Sequence, residues 1–392
     1  DYGSFGYLNT SIKTTDYQLA KTGLTEQYSV LPQVRVNFNT YEKNKKLKYN
    51  FDGEISIFSH TYDNKADGTR ISLYPSVEYP FKNPGWELKS KIGLKHRSYS
   101  LSKNNNNSIS QTTPILSLRG KMIFDRMLGK NMLQTLEPEA FLLYVPAPNQ
   151  DDIPIFDAGE NDLRYNLFSE NKFYGEDRLN DARQLTLALS SSMVDVDSGN
   201  EILRATIGQI FYLSDRSVNL TNSEINHSDS SNIMGLVNAR FSDHWRLNGY
   251  MEFNPHEGYG EKNQIRLSYK RPYGKNNQIF NTSYRFSRGT QEEVDFSAVV
   301  PVNNRLSLIG KLNYSFNNQR NNQEGTLEKM IGVEYESCCY GIKFVVRDYW
   351  TGTKLDNAFY FEFLPKGIAT STNKTAELLR EGILGYQDSF NY

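Results

Sequence analysis

Two adjacent cysteines, Cys338 and Cys339, and five scattered histidines are the side chains of this 392-residue sequence best suited to chemistry. The histidines are His60, His96, His227, His244 and His256, and no two stand at the spacing of a metal-binding pair. No Ser/His/Asp order stands out either, so they read as isolated polar residues, and no catalytic, cofactor or metal site is expected. A membrane phospholipase would need a serine and a histidine on adjacent outward strands, an arrangement that spacing alone does not define. A cysteine pair without CxxC companions makes a poor zinc site. Neighbouring cysteines rarely bond to each other, so on oxidation each needs a partner from outside this chain.

Charge and composition narrow the class further. The chain carries 44 basic and 45 acidic residues for a net charge of -1, which gives no basic footprint for nucleic acid and excludes it as an expected partner. It holds 26 tyrosines and 22 phenylalanines against 13 prolines, the balance of many strands joined by polar turns. Mean hydropathy is -0.62, and no run of about 18 apolar residues exists to make a membrane helix. A transmembrane β-barrel is still allowed, because it shows lipid only every second side chain. No signal peptide is visible at Asp1, so the sequence reads as a mature or truncated piece of a longer protein.

The elements that must position these residues alternate with period two. Leu306, Leu308, Gly310, Leu312, Tyr314 and Phe316 face one way, and Ser307, Ile309, Lys311, Asn313 and Ser315 the other. Trp245, Leu247, Gly249, Met251 and Phe253 likewise oppose Arg246, Asn248, Tyr250 and Glu252. A soluble antiparallel sheet would also alternate, and loop length separates the two cases. Roughly eighteen strands of about 10 residues are predicted, each long enough to cross a bilayer at a tilt. Short connections (Lys82 to Gly85, Ser242 to His244, Pro272 to Lys275, Pro301 to Asn304) alternate with long ones (Leu101 to Gln111, Pro146 to Ala182, Ser214 to Ser231). Outer-membrane barrels have short periplasmic turns and longer surface loops. That rule puts the connection Trp350 to Leu355 outside and the turn near Ser337, with both cysteines, on the periplasmic side, where thiols are oxidised.

The fold class is therefore an all-β, antiparallel transmembrane β-barrel of the outer-membrane type over residues 1–364, with a C-terminal periplasmic tail over 365–392. Ala376 to Arg380, with Glu381, suggests a single helical turn in that tail. Asn104 to Asn107 is a low-complexity loop. The longest loop, Pro146 to Ala182, is acidic and aromatic, with Asp151, Asp152, Asp157, Glu160, Asp162, Tyr165, Phe168, Phe173 and Tyr174. A polar loop of this length is uncommon unless it covers or plugs something, so Asp151, Asp152, Ile153, Pro154, Phe156 and Asp157 are candidate lumen or lid residues. The plain alternative is a solvated surface loop.

Four ordered blocks and the tail resemble the LptD family. They are Thr135-Leu-Glu-Pro-Glu-Ala-Phe-Leu-Leu-Tyr-Val-Pro146, continuing through Gln150 to Asp157; Tyr174 to Leu185; Leu203 to Tyr212; Ile331 to Tyr340; and the closing Leu378 to Gln387. The family's proteins are longer, with a periplasmic jellyroll domain ahead of a barrel of about two dozen strands. The resemblance therefore implies that the jellyroll and the first barrel strands lie outside this sequence. It also implies a non-enzymatic lipopolysaccharide translocon in the bacterial outer membrane. Its substrate is lipopolysaccharide, its barrel is plugged by an LptE-like lipoprotein, and its missing domain meets an LptA-like periplasmic bridge. Cys338 and Cys339 would then form disulfides to that domain. Adjacent strand residues point to opposite faces, so the two would reach different partners. A porin-type channel and a soluble carbohydrate-binding β-protein are the alternatives.

Overall fold

The computed structural model describes residues 6–16, 27–40, 47–62, 64–102, 108–220, 225–274, 276–317, 324–352, 354–365 and 374–387. In chain order the first elements are β1 (Tyr7–Thr15), β2 (Ser29–Asn39), β3 (Lys48–Ser59), β4 (Asp67–Asn83), β5 (Trp86–Ser102), β6 (Ser108–Met122), β7 (Phe124–Leu128) and β8 (Met132–Val145). The long loop then holds β9 (Gly159–Glu160), α1 (Leu163–Asn166) and β10 (Phe173–Tyr174). After it come β11 (Ala182–Asp195), β12 (Glu201–Tyr212), β13 (Ile233–Arg240), β14 (Trp245–Asn254), β15 (Tyr259–Tyr273), β16 (Asn276–Ser287) and β17 (Gln291–Pro301). The chain ends with β18 (Leu306–Asn317), β19 (Gly325–Glu336), β20 (Tyr340–Trp350), β21 (Leu355–Pro365) and α2 (Lys374–Gly382). Nineteen of these strands form one sheet, against roughly eighteen expected, and β9 pairs with β10 separately. The pairings are antiparallel between chain neighbours, as in β3 with β4 and β17 with β18. The expected low-complexity run Asn104 to Asn107 lies outside the described residues.

The contacts divide the chain into two compact units, one of residues 1–125, 136–190 and 208–231, the other of 126–135, 191–207 and 232–392. In the first, Ile55, Ile57, Ile71, Ile92 and Leu94 are exposed on one face of β3 to β5, and Glu54, Ser56, Arg70, Ser72, Arg97 and Tyr99 are buried on the other. The polar groups are inside and the apolar ones uncovered, the reverse of a soluble sheet. An apolar face of this extent in a soluble monomer would be an aggregation site, whereas against lipid it is the stable arrangement.

The second unit repeats the pattern. Phe296, Leu308, Leu312 and Ile331 are exposed, and Ser297, Ser307 and Ser315 buried, as the alternation of Leu306 to Phe316 required. One patch on the buried face is apolar instead. Ile279, Val299, Ile309, Met330 and Val345, contributed by β16 to β20, form a cluster with Leu379, Ile383 and Tyr386 of the α2 region. The predicted helical turn at Ala376 is thus a nine-residue helix, and its apolar side is buried on the strands. Asn281 donates to the Leu384 carbonyl at 3.0 Å and the Tyr386 hydroxyl to Glu334 at 3.1 Å, fastening the segment beyond the helix.

Two details differ from the sequence reading. Connections do not alternate between short and long throughout: 255–258 and 288–290 are tight turns at the end opposite 241–244 and 302–305. Gly258 and Gly289, at φ of 75° and 67°, supply the left-handed residue that lets so few residues reverse a strand. Cys338 and Cys339 lie in the turn between β19 and β20, closed by the Ser337 amide donating to the Tyr340 carbonyl at 2.8 Å. Their side chains therefore do not diverge as strand neighbours would, and the two sulfurs approach to 2.9 Å.

Candidate functional site

The strands around β4 meet the long loop through alternating polar positions. Arg70, Ser72 and Tyr74 share one face of β4, with Ile71 and Leu73 on the other. Ser56 of β3 stands opposite Arg70 in register, and its hydroxyl donates to Glu54 at 2.6 Å. The Arg70 guanidinium donates to Glu54 at 2.5 Å, to both carboxylate oxygens of Asp157 at 2.7 Å, and to Asp177 at 2.7 Å. The side chains of Arg70 and Asp177 have no exposed surface, whereas Asp157 is partly exposed at the edge of the cluster. A buried charge is tolerable only when paired and hydrogen-bonded, and one guanidinium here serves three carboxylates through its two terminal nitrogens.

Asp177 is the organising acceptor within the loop. Its carboxylate also takes the amides of Phe156 and Asp157, at 2.8 and 2.9 Å, and the Tyr99 hydroxyl at 3.2 Å. The Asp177 carbonyl accepts from Arg97 of β5 at 2.8 Å. Burial, reinforced by the negative charge of Asp157, lifts the Asp177 carboxyl above its ordinary range. Burial also pushes Asp157 upward, but its hydrogen bonds to Arg70 and the charge of that group outweigh the effect and hold it below. With more negative than positive charge packed together, the two carboxyls titrate in opposite directions.

Two further contacts extend the docking. Glu170 accepts from the Tyr74 hydroxyl at 2.7 Å, from Lys91 at 2.9 Å and from Ser117 at 2.9 Å, which ties the loop to β4, β5 and β6. Gly93 makes this possible, because a Cβ there would overlap the Tyr74 ring. Glu176 accepts from Ser72 at 2.8 Å and forms an ion pair with Lys95. An apolar anchor lies beside the charges, where the Phe156 ring stacks on Phe58 with centroids 4.4 Å apart, in a buried cluster with Tyr99 and Ile153.

The structure brings together only part of the candidate set. Ile153 and Phe156 are buried anchors and Asp157 is an ion-pair partner, while Pro154 is half-buried and Asp151 and Asp152 are exposed and outside the charge cluster. The cysteines belong to the other unit and are exposed in their turn. The hydrogen bond from Cys339, followed by that from Ser337, draws the Cys338 thiol below its ordinary value. Sequence reasoning missed Arg70, Arg97, Glu170 and Asp177. Asp177 stood within a conspicuous block, and Arg70 sat on the polar side of an alternating strand, but nothing local links positions 107 apart. Among the described residues no group of three or more His, Cys, Asp or Glu side chains is placed to hold a metal ion.

The acidic loop is thus docked on the polar face of strands whose other face is bare and apolar. The family model for LptD, described as LPS transport system D, matches residues 1–337. The chain belongs to the LptD family. It is 34% identical over 372 residues to the LPS-assembly protein LptD of Nitrosococcus oceani, covering 93% of this chain and 49% of that one. The LptD of Thiobacillus denitrificans is 30% identical over 387 residues, covering 97% and 51%. The LptD of Neisseria meningitidis serogroup B is 29% identical over 421 residues, covering 98% and 50%. The chain thus spans about half the length of the curated relatives it matches. The all-β antiparallel architecture of this LptD-family chain is the one expected from its alternating sequence.

Proposed function

We propose that this chain is the outer-membrane barrel of a lipopolysaccharide translocon, which passes the sugar portion of the lipid along its polar face and releases the acyl portion to the membrane. The observation that carries the reading is the loop 146–181 locked onto that polar face by Arg70, Asp157 and Asp177, in a chain of the LptD family. A fastened acidic loop obstructs free diffusion through the interior, which suits a channel that opens to a delivered amphiphile better than one that sieves small solutes. Ion pairs of mixed sign, such as Lys311 with Glu328 and Arg347 with Glu328, offer sugars and phosphates both donors and acceptors.

The barrel would occupy residues 1–364, with the membrane around its apolar face. An LptE-like lipoprotein would fill the remaining interior, and a domain outside this sequence would receive the lipid from an LptA-like bridge. Cys338 and Cys339 would tether the barrel to that domain by disulfides, the end of the strands that bears them facing the periplasm. The exposure of both cysteines in one turn supports such a tether.

The test is controlled depletion of the full-length protein in its own cells. Loss of surface lipopolysaccharide with small-solute uptake unchanged is the expected result. Unaltered surface lipopolysaccharide with reduced solute uptake would identify a porin instead.

A further inference from the structure

Two segments of the first unit, 147–151 after β8 and 217–219 after β12, wall a cavity with Arg178. It holds about 380 Å³, within the range that takes a small ligand or one part of a larger one. Its walls are fixed on both sides. The Gln150 carboxamide donates to the Leu179 carbonyl at 2.7 Å and accepts the Leu179 amide at 3.0 Å. The Asp181 carboxylate accepts the amides of Ser217 and Val218 at 2.7 and 3.2 Å. The cavity is therefore formed before anything enters it, which spares a ligand the cost of ordering these segments.

Arg178 is only 4% exposed, and it is charged at any physiological pH. Among the described residues its guanidinium has no carboxylate within ion-pair distance and bonds only through Nη1, to the carbonyls of Ile153 at 2.9 Å and Asp177 at 3.3 Å. Nε and Nη2 have no protein acceptor, yet neither is sealed from solvent. That edge is a planar fork matched to an oxyanion. Burial draws the guanidinium below its ordinary value, and the charges of Asp177, Tyr99 and Asp151 offset this only in part. A buried cation with an unused fork, lining a polar cavity, is complementary to an anion.

The rest of the lining selects among anions. Asn149 accepts the Asp151 amide on Oδ1 at 3.0 Å, which leaves Nδ2 as a second donor. The Ser217 hydroxyl donates to Asp181 at 3.1 Å, and its oxygen remains an acceptor. Pro148 and Val218 add apolar surface. Asp151, exposed on the same wall, opposes a second negative charge in the ligand. Neutral donors and acceptors, an apolar side and a single available cation suit a singly charged, hydroxyl-bearing ring better than a free phosphate.

We propose that this cavity binds an acidic sugar, with its carboxylate on the Nε–Nη2 edge of Arg178 and its hydroxyls on Asn149 and Ser217. The source of the sugar rests on the translocon reading above, in which the sugar chain of lipopolysaccharide is carried past these loops; the binding chemistry does not.

Ligand-observed NMR titration of the full-length protein in detergent micelles tests it, with methyl glucuronide, methyl glucoside, glucose 1-phosphate and inorganic phosphate as probes. Methyl glucuronide is expected to bind at least about tenfold more tightly than methyl glucoside, the worth of a charge-assisted hydrogen-bonded contact. R178Q should abolish that preference. D151N should tighten glucuronide binding about threefold by removing one exposed like charge, a gain that a misfolded loop would not produce. Equal affinity for glucuronide and glucoside, or a preference unchanged in R178Q or D151N, would overturn the proposal. Inorganic phosphate displacing the glucuronide as effectively as glucuronide itself would reduce the cavity to a plain anion site, and tighter binding of glucose 1-phosphate would overturn the choice of carboxylate. Any of these failures, with surface lipopolysaccharide still lost on depletion, would leave the translocon reading standing.

Discussion

Arg70 on β4 and Asp177 in the long loop, 107 positions apart, meet at 2.7 Å with neither side chain exposed. Removing Arg70 would strand the buried Asp177 and leave Asp157 without its ion pair, while Glu54 would keep only Arg35 as an ion-pair partner. Breaking a buried pair in this way costs about 3–5 kcal/mol. R70M is expected to release the loop while the strands, paired through their backbones, stay folded. Faster proteolysis within Asn149 to Phe156, with unchanged heat-modifiable gel mobility, is the outcome that checks it. Deleting Asn149 to Phe156 should likewise leave a folded barrel, and cells carrying it should become leaky to large antibiotics. Unchanged permeability at normal protein levels would reduce the segment to an ordinary surface loop.

The same cluster sets a pH dependence. Asp157 is held below its ordinary value, so its contribution to docking is complete above the undocked carboxyl range, about 3.9, and is lost as pH falls through the lower docked value. Asp177 is raised, so the docked loop takes up its proton more readily than the released loop, and falling pH through that range favours docking. Both signs predict that the loop stays docked on acidification to about pH 4 and is released only below. Hydrogen exchange at the amides of Phe156 and Asp157, corrected for intrinsic rates, reads this directly. Release between pH 6 and 5 would show that another group holds the loop.

Lipid contact separates neighbouring residues on β18. Leu312 is exposed on the apolar face, whereas Asn313 stands opposite Asp295 on one side and Glu328 on the other. Leu312→Arg should cost about 2–4 kcal/mol if it lies near the bilayer midplane. Asn313→Arg should be tolerated, its charge received by two acidic neighbours. Folding into vesicles, followed by gel mobility, distinguishes them, and equal tolerance would mean that the faces are assigned wrongly.

Helix α2 holds its place through Leu379, which is fully buried against the patch formed by Ile279, Val299, Ile309, Met330 and Val345. Leu379→Ala removes a core side chain, a change worth about 2–5 kcal/mol at such sites. The helix is expected to lose hydrogen-exchange protection while β16 to β20 keep theirs. Loss of protection in the strands as well would make α2 part of the folding core.

Much of the fold was legible because a strand that faces lipid on one side must alternate. Leu308 and Leu312 outward with Ser307 and Ser315 inward follows from period two alone. The long loop also announced itself by length and by Phe156 and Asp157. What its residues touch was not legible, because Arg70 and Asp177 are joined only by the three-dimensional path of the chain. The inward patch under α2 was hidden for a related reason. Ile309, Val299 and Met330 interrupt the polar side of their strands, and without the helix that covers them such residues look like lapses in the pattern. Cys338 and Cys339 were assigned diverging directions on the assumption of a strand, and the tight turn after Ser337 removes that geometry.

The central claim is that lipopolysaccharide travels along the polar face of these strands. Photoactivatable residues at Ser283 and Arg285, both on that face of β16, in the full-length protein of growing cells, test it most directly. Lipopolysaccharide adducts at both positions, diminished when delivery from the inner membrane is blocked, are expected. No adduct at either position, with the protein at normal levels and lipopolysaccharide still reaching the surface, would contradict the account.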